Sequence, residues 1–205
     1  MKPCPGIRVQ KIYIPSGARR IPALVLSPEE LSAPAAGVLW IHGGGYISGM
    51  KEMVYISRAV ELVKSFGAVV VSPGYRLAPF SPYPAAIDDC YAALLYMKEH
   101  AAELGVREDQ LMVGGESAGG GLCAAVCIKA RDTGEVNVAF QMPLYPMLDD
   151  RDTETSRDNH GRVWNTWKNH FGWRCYLRGT DRETLPPYAA PARVGNMEGL
   201  PPAYT

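Results

Sequence analysis

The sequence predicts an α/β fold, a single domain over residues 1–205 with a mostly parallel sheet and helices on both of its faces. Short apolar, β-branched runs alternate with helical patterns along the chain, the order that strand–helix–strand crossovers produce. Two of those runs, residues 37–42 (GVLWIH) and 68–73 (AVVVSP), are apolar almost throughout, as strands covered on both faces must be. Glycines, Gly67 and Gly105, stand just past the helical patterns, where a chain stops.

Each element has its own signal. Residues 9–14 (VQKIYI) and 22–27 (PALVLS), joined by the turn-rich PSGARR, read as an opening antiparallel hairpin. The runs at 37–42 and 68–73 follow as central strands, and 110–115 (QLMVGG) and 138–146 (VAFQMPLYP) complete the sheet. Residues 52–66 put Ile56, Ala59, Val60 and Val63 on one helix face, and 84–103 do the same with Ile87, Tyr91, Leu94 and Leu95. The alanine-rich stretch after Ser117, with Leu122 and Val126, reads as a helix that can approach the sheet closely. Residues 147–195 break the pattern. There Trp164, Trp167, Phe171 and Trp173 stand in polar sequence without a regular period, as a lid-like excursion over a cleft or a surface helix pair anchored by aromatics.

Composition narrows the class. With 205 residues and 47% hydrophobic side chains, the chain can bury one sizeable core. Lys+Arg and Asp+Glu stand at 21 each, so no net field favours nucleic acid or an anionic membrane. The five cysteines, Cys4, Cys90, Cys123, Cys127 and Cys175, include no C-x-x-C pair, and Cys123 and Cys127 read as core. A reducing cytoplasm is the expected location. The first residues lack a secretory apolar region and no run reaches transmembrane length, so neither membrane nor nucleic acid is an expected partner.

The chemistry is concentrated in two glycine-rich stretches. Gly115-Glu116-Ser117-Ala118-Gly119 fits G-x-S-x-G between an apolar run and a small-residue helix. A serine that attacks a carbonyl must sit on such a tight strand-to-helix turn, with the helix N-terminus beside the developing negative charge. The second stretch, WIHGGGYISG at 40–49, follows a buried strand and exposes backbone N–H donors. It matches an oxyanion hole in which Gly44 and Gly45 donate together with Ala118, while Gly43 shapes the turn. A phosphate or dinucleotide loop fits less well: Gly43, Gly45 and Gly49 give no strict G-x-G-x-x-G, and no Lys-Ser/Thr follows GGESAGGG. Tyr46 and Glu116 are candidate substrate-pocket residues, with packing an equal alternative for Tyr46. Arg76 with Asp88 and Asp89 reads as structural ion pairing, His42 as a brace for the glycine loop, and His100 as a partner of a helix C-terminus.

IHGGGY, YRLAPFSPYPAAIDD (75–89), GGESAGG and LYPMLDDR (144–151) together resemble the hormone-sensitive-lipase-like group of α/β-hydrolases, close to bacterial acetyl-hydrolases and carboxylesterases. FGWRCYLRG and GLPPAYT extend the likeness to about the whole chain. The resemblance implies an α/β-hydrolase fold, small-molecule esters with short acyl chains as substrates, an acyl-enzyme on Ser117, and no metal or organic cofactor. Two departures are local: Phe80-Ser81 replaces an acidic-histidine pair, and Glu116 stands where aspartate is commoner. In the group a strand, a catalytic aspartate, another strand and a catalytic histidine follow GLPPAYT. The resemblance therefore implies a chain truncated before its acid and base, with C-terminal strands missing and an apolar edge open to homo-oligomers. Within the 205 residues, a triad of Ser117, His160 or His170, and Asp150 is the remaining alternative. The other reading is a catalytically dead fragment or a non-catalytic binding protein on the same fold.

Overall fold

The computed structural model describes residues 5–205, so Cys4 lies outside the described residues. The opening hairpin is present and longer than expected. β1 (Ile7–Ser16) and β2 (Arg19–Pro28) pair antiparallel from Ile7 with Pro28 to Ser16 with Arg19, so the connection shrinks to Gly17 and Ala18. β3 (Ala35–Ile41), β4 (Val69–Pro73), β5 (Val106–Glu116) and β6 (Phe140–Leu144) run parallel to one another. The sheet order is β1-β2-β4-β3-β5-β6. The chain leaves β3 for β4 on one side and then returns to β5 on the other. The loops after β3 and β5 therefore diverge from neighbouring strand ends, the position where open parallel sheets form their crevice.

Helices cover both faces, as expected. α1 (Ala59–Phe66) lies on one, where Ala59 and Val63 pack with Leu24, Leu26, Val38, Trp40 and Val70. α2 (Ala85–Glu99), the single turn α3 (Ala101–Leu104) and α4 (Ala118–Thr133) belong to the other, around Leu39, Ile41, Val71 and Val113. α5 (Glu154–Arg157) and α6 (Thr166–Tyr176) lie within residues 147–195.

Two helical expectations are corrected. Residues 52–66 are not one helix but a 3₁₀ segment, Lys51–Ile56, followed by α1. Ser57 makes the break: its hydroxyl donates to Val54 O and accepts from Ala59 N, replacing helical bonds with local ones. The phase change turns Val54 inward and leaves Ile56 75% exposed. Residues 84–103 divide at His100, whose ring stacks on Tyr96 and whose Nδ1 lies 3.1 Å from Tyr96 O.

β6 is not a bare edge. Gln141 N donates to Pro202 O and Tyr204 N to Gln141 O, so the GLPPAYT segment runs parallel beside β6. On the α1 side of β5 and β6, Met112, Met142 and Leu144 are partly buried. Among the described residues, no helix is long and apolar enough to cross a membrane.

Candidate active site

Ser117 sits between the last residue of β5 and the first of α4 with φ 56° and ψ −118°, a conformation that non-glycine residues avoid. It is over-determined on both sides. Ser117 N donates to Leu144 O at 3.0 Å, and Ser117 O accepts from Gly121 N and Met147 N, each at 3.0 Å. The turn is thus held by the end of β6 as well as by its own helix.

The glycine loop after β3 closes against this turn. A Cβ on Gly43 would lie 2.9 Å from Glu116 O and 3.3 Å from the Ser117 Cβ, so the two segments touch backbone to backbone. Gly44 has φ 121°, and its carbonyl accepts from Ile47 N, Ser48 N and Ser48 Oγ, which coils the loop tightly. Among the described residues the N–H groups of Gly44, Gly45 and Ala118 donate to no protein acceptor. Gly119 is among the tightest positions: an added Cβ would overlap Ile41 O and lie 2.5 Å from His42 O. Backbone carbonyls at the end of a central strand cannot step aside. Gly119→Ala is expected to cost about 3 kcal/mol of stability, read as a lower urea midpoint at unchanged slope. A loss under about 0.5 kcal/mol would contradict this packing.

His42 braces the loop from beneath. Its ring stacks on Tyr75 at 4.2 Å, Tyr75 Oη donates to His42 O, and Nδ1 lies 2.8 Å from Gly43 O. That contact puts the proton on Nδ1 and leaves Nε2 buried without a partner among the described residues. Burial is the largest influence and holds the imidazole below its ordinary 6.5, against the opposing pull of the Gly43 carbonyl. The sign follows directly. The unfolded chain takes up this proton near pH 6.5 while the folded chain resists it, so stability is full above 6.5 and falls as pH drops below it. Urea midpoints at steps from pH 7.5 to 5.5 are expected to decline below about 6.5, and the decline to be shallower in His42→Gln. Parallel profiles for the two chains would contradict the assignment.

Residues within 147–195 reach the same loop. A Cβ on Gly45 would overlap the Trp164 ring, and one on Gly172 would meet Gly45 O at 2.7 Å. Tyr46 is 1% exposed, stacks on Tyr176 at 4.1 Å and donates to Met147 O at 3.1 Å. Tyr46 therefore lies in the core, pinning the loop to the excursion, rather than on an open pocket wall. Glu116 is half-buried and opens on a cavity of about 520 Å³ shared with Arg58, Glu61, Leu144 and Tyr145. Tyr145 has φ 36°, and burial with the nearby Glu116 carboxylate raises its phenol pKa.

A serine on a strained strand-to-helix turn, facing a glycine loop at the sheet's reversal point, matches one family model over residues 38–205, that of the alpha/beta hydrolase fold. The chain belongs to that family. Esterase LipI of Mycobacterium tuberculosis is 35% identical over 179 residues, 86% of this chain and 55% of that protein. Hormone-sensitive lipase of Bos taurus is 35% identical over 137 residues, 65% of this chain and 18% of its own. Among solved structures, one described as a bacterial heroin esterase superposes with a TM-score of 0.91 at 37% identity, covering 98% of this chain and 65% of that one. The chain therefore spans between about a half and two-thirds of LipI and the heroin esterase.

The within-chain triad is not assembled. His160 Nε2 pairs with Asp158 at 2.8 Å and His170 Nε2 with Asp152 at 2.7 Å. Asp150, 2% exposed, is held in a two-pronged contact by Arg193, whose Nε and Nη2 donate at 2.7 and 3.0 Å. No hydrogen bond joins any of these groups to Ser117 among the described residues. The ion-pair reading does hold: Asp89 binds Arg76 and Asp88 binds Lys129. Trp164 and Tyr145 are site neighbours that sequence reasoning did not assign. Trp164 had a signal, an aromatic in polar sequence; the positive φ of Tyr145 had none.

Proposed function

We propose that this chain is the nucleophile-bearing part of a serine carboxylesterase acting on small esters with short acyl chains. Ser117 Oγ attacks the ester carbonyl carbon, and the N–H groups of Gly44, Gly45 and Ala118 receive the oxyanion, with Gly43 setting their approach. Collapse expels the alcohol and leaves an acyl-Ser117, which water hydrolyses. The observation that carries this reading is the strained Ser117 turn held against a loop whose donors are unspent. No metal or organic cofactor enters the scheme.

Residues 147–195 serve as the lid in this reading, supported by Trp164 on Gly45 and by the Tyr46–Tyr176 stack. The cavity beside Glu116 supports it as a pocket residue. The buried free thiols of Cys90, Cys123 and Cys127 fit a reducing, cytoplasmic location. The proton leaving Ser117 needs an acceptor, and among the described residues neither His160 nor His170 is hydrogen-bonded to Ser117. The base is therefore taken from outside residues 1–205.

A fluorophosphonate probe tests this on the 205-residue chain, with the adduct mapped by mass spectrometry and imidazole added as an external base. The expected result is slow labelling confined to Ser117, accelerated by imidazole. A folded chain with no Ser117 adduct under either condition would favour the second reading, a non-catalytic protein on the same fold, which the diverted histidines otherwise support.

A further inference from the structure

The outward face of α6 carries features that the fold does not use. Residues 159–180 contain Arg162, Lys168, Arg174 and Arg178 and neither Asp nor Glu, a local excess of positive charge within a chain of zero formal net charge. None of these four cations forms a salt bridge among the described residues. Trp167, Phe171, Arg174 and Arg178 recur at i, i+4, i+7 and i+11, one stripe along a helix and its C-terminal turn. Trp167 and Phe171 stack at 5.4 Å with rings 5° apart, and the Arg174 guanidinium lies 5.6 Å over Phe171. Arg178 Nη2 donates to Pro79 O, which brings Phe80 to the end of the stripe. Phe80 is 91% exposed, Val163 87% and Trp167 68%.

The other side of the same helix is spent on the core. Gly172, Trp173 and Tyr176 are buried, and Trp173 and Tyr176 pack on Tyr46. Among the described residues, folding accounts for the inner face and leaves the exposed Trp167 and the half-buried Phe171 stacked on each other. Exposed tryptophan and phenylalanine bordered by unpaired arginines combine apolar insertion with attraction for anionic headgroups, the pattern of helices that lie in a lipid interface. A second copy of the chain fits less well, since a two-fold contact would bring the same arginines face to face.

We infer that the Trp167–Arg178 face, with Phe80 at its end, docks on an anionic lipid surface. The balanced charge of the whole chain argues against a membrane partner and conceals this local asymmetry. The inference does not depend on acylation of Ser117, because vesicle binding is read without turnover.

Flotation with vesicles of equal parts phosphatidylcholine and phosphatidylglycerol, against phosphatidylcholine alone, tests it at low and high salt. The expected result is binding to the mixed vesicles at least about tenfold tighter than to the neutral ones, weakened by salt, with a blue shift of tryptophan emission. Arg174→Glu/Arg178→Glu is expected to lose at least about twentyfold, and Trp167→Ser about tenfold, with unchanged circular dichroism. Absence of binding, equal binding to both vesicle types, or variants that bind like the parent would each overturn the inference. A Trp167-dependent dimer without vesicle binding would also overturn it and give the face to a second copy.

Discussion

Ser117→Gly is expected to give a chain more stable than its parent by about 1 kcal/mol and unable to form an adduct. At φ 56° and ψ −118° the serine Cβ is held where L side chains are strained, which costs on the order of 1–3 kcal/mol. Glycine removes that strain and returns about 0.5–1 kcal/mol of it through the greater freedom of the unfolded chain. Ser117→Ala keeps the strain and removes only the oxygen, so its stability should stay within about 0.5 kcal/mol of the parent. Both variants are expected to lose the slow labelling entirely, since without the Ser117 hydroxyl no adduct can form. Urea midpoints and probe labelling of the three chains decide the matter. A less stable glycine variant would mean that the turn is relaxed, and persistent labelling of Ser117→Ala would move the nucleophile elsewhere.

Asp89→Ala is expected to cost about 3–5 kcal/mol. The carboxylate is fully buried and accepts from Ser16 Oγ at 2.6 Å, Arg76 N and Nε at 2.9 Å, and Arg76 Nη2 at 2.8 Å. It joins the end of β1, the loop after β4 and α2, so its loss strands a guanidinium and frees three segments at once. In a chain of this size the melting temperature should fall by roughly 10 °C or more. Arg76→Ala leaves the carboxylate buried and uncompensated, so the double variant should cost less than the sum of the two. Additive losses, or a loss under about 1 kcal/mol, would show that the network does not hold these segments together.

Local pattern was enough for much of this molecule. Alternating apolar runs and helical periods place all six strands and the helix after Ser117, because burial on two faces leaves a continuous apolar run wherever the contact partners lie. G-x-S-x-G and the glycine triplet are equally local, since a tight turn and a close backbone approach each demand glycine at a fixed offset. Other features depended on partners distant in sequence or on competition between neighbours. Ser57 breaks 52–66 because its hydroxyl outcompetes the helix, a contest that apolar periodicity does not register. Tyr46 reads alike as pocket wall or core until Met147, Trp173 and Tyr176 close around it, more than 100 residues away. His160 and His170 remain open partners for Ser117 until Asp158 and Asp152 bind them, and Asp150 until Arg193 does. The sequence by itself thus determined the fold and the tight turn that carries Ser117, whose requirements are met within a few residues. The tertiary structure decided what surrounds them, because hydrogen bonds and ion pairs form with whichever group the fold brings within about 3 Å.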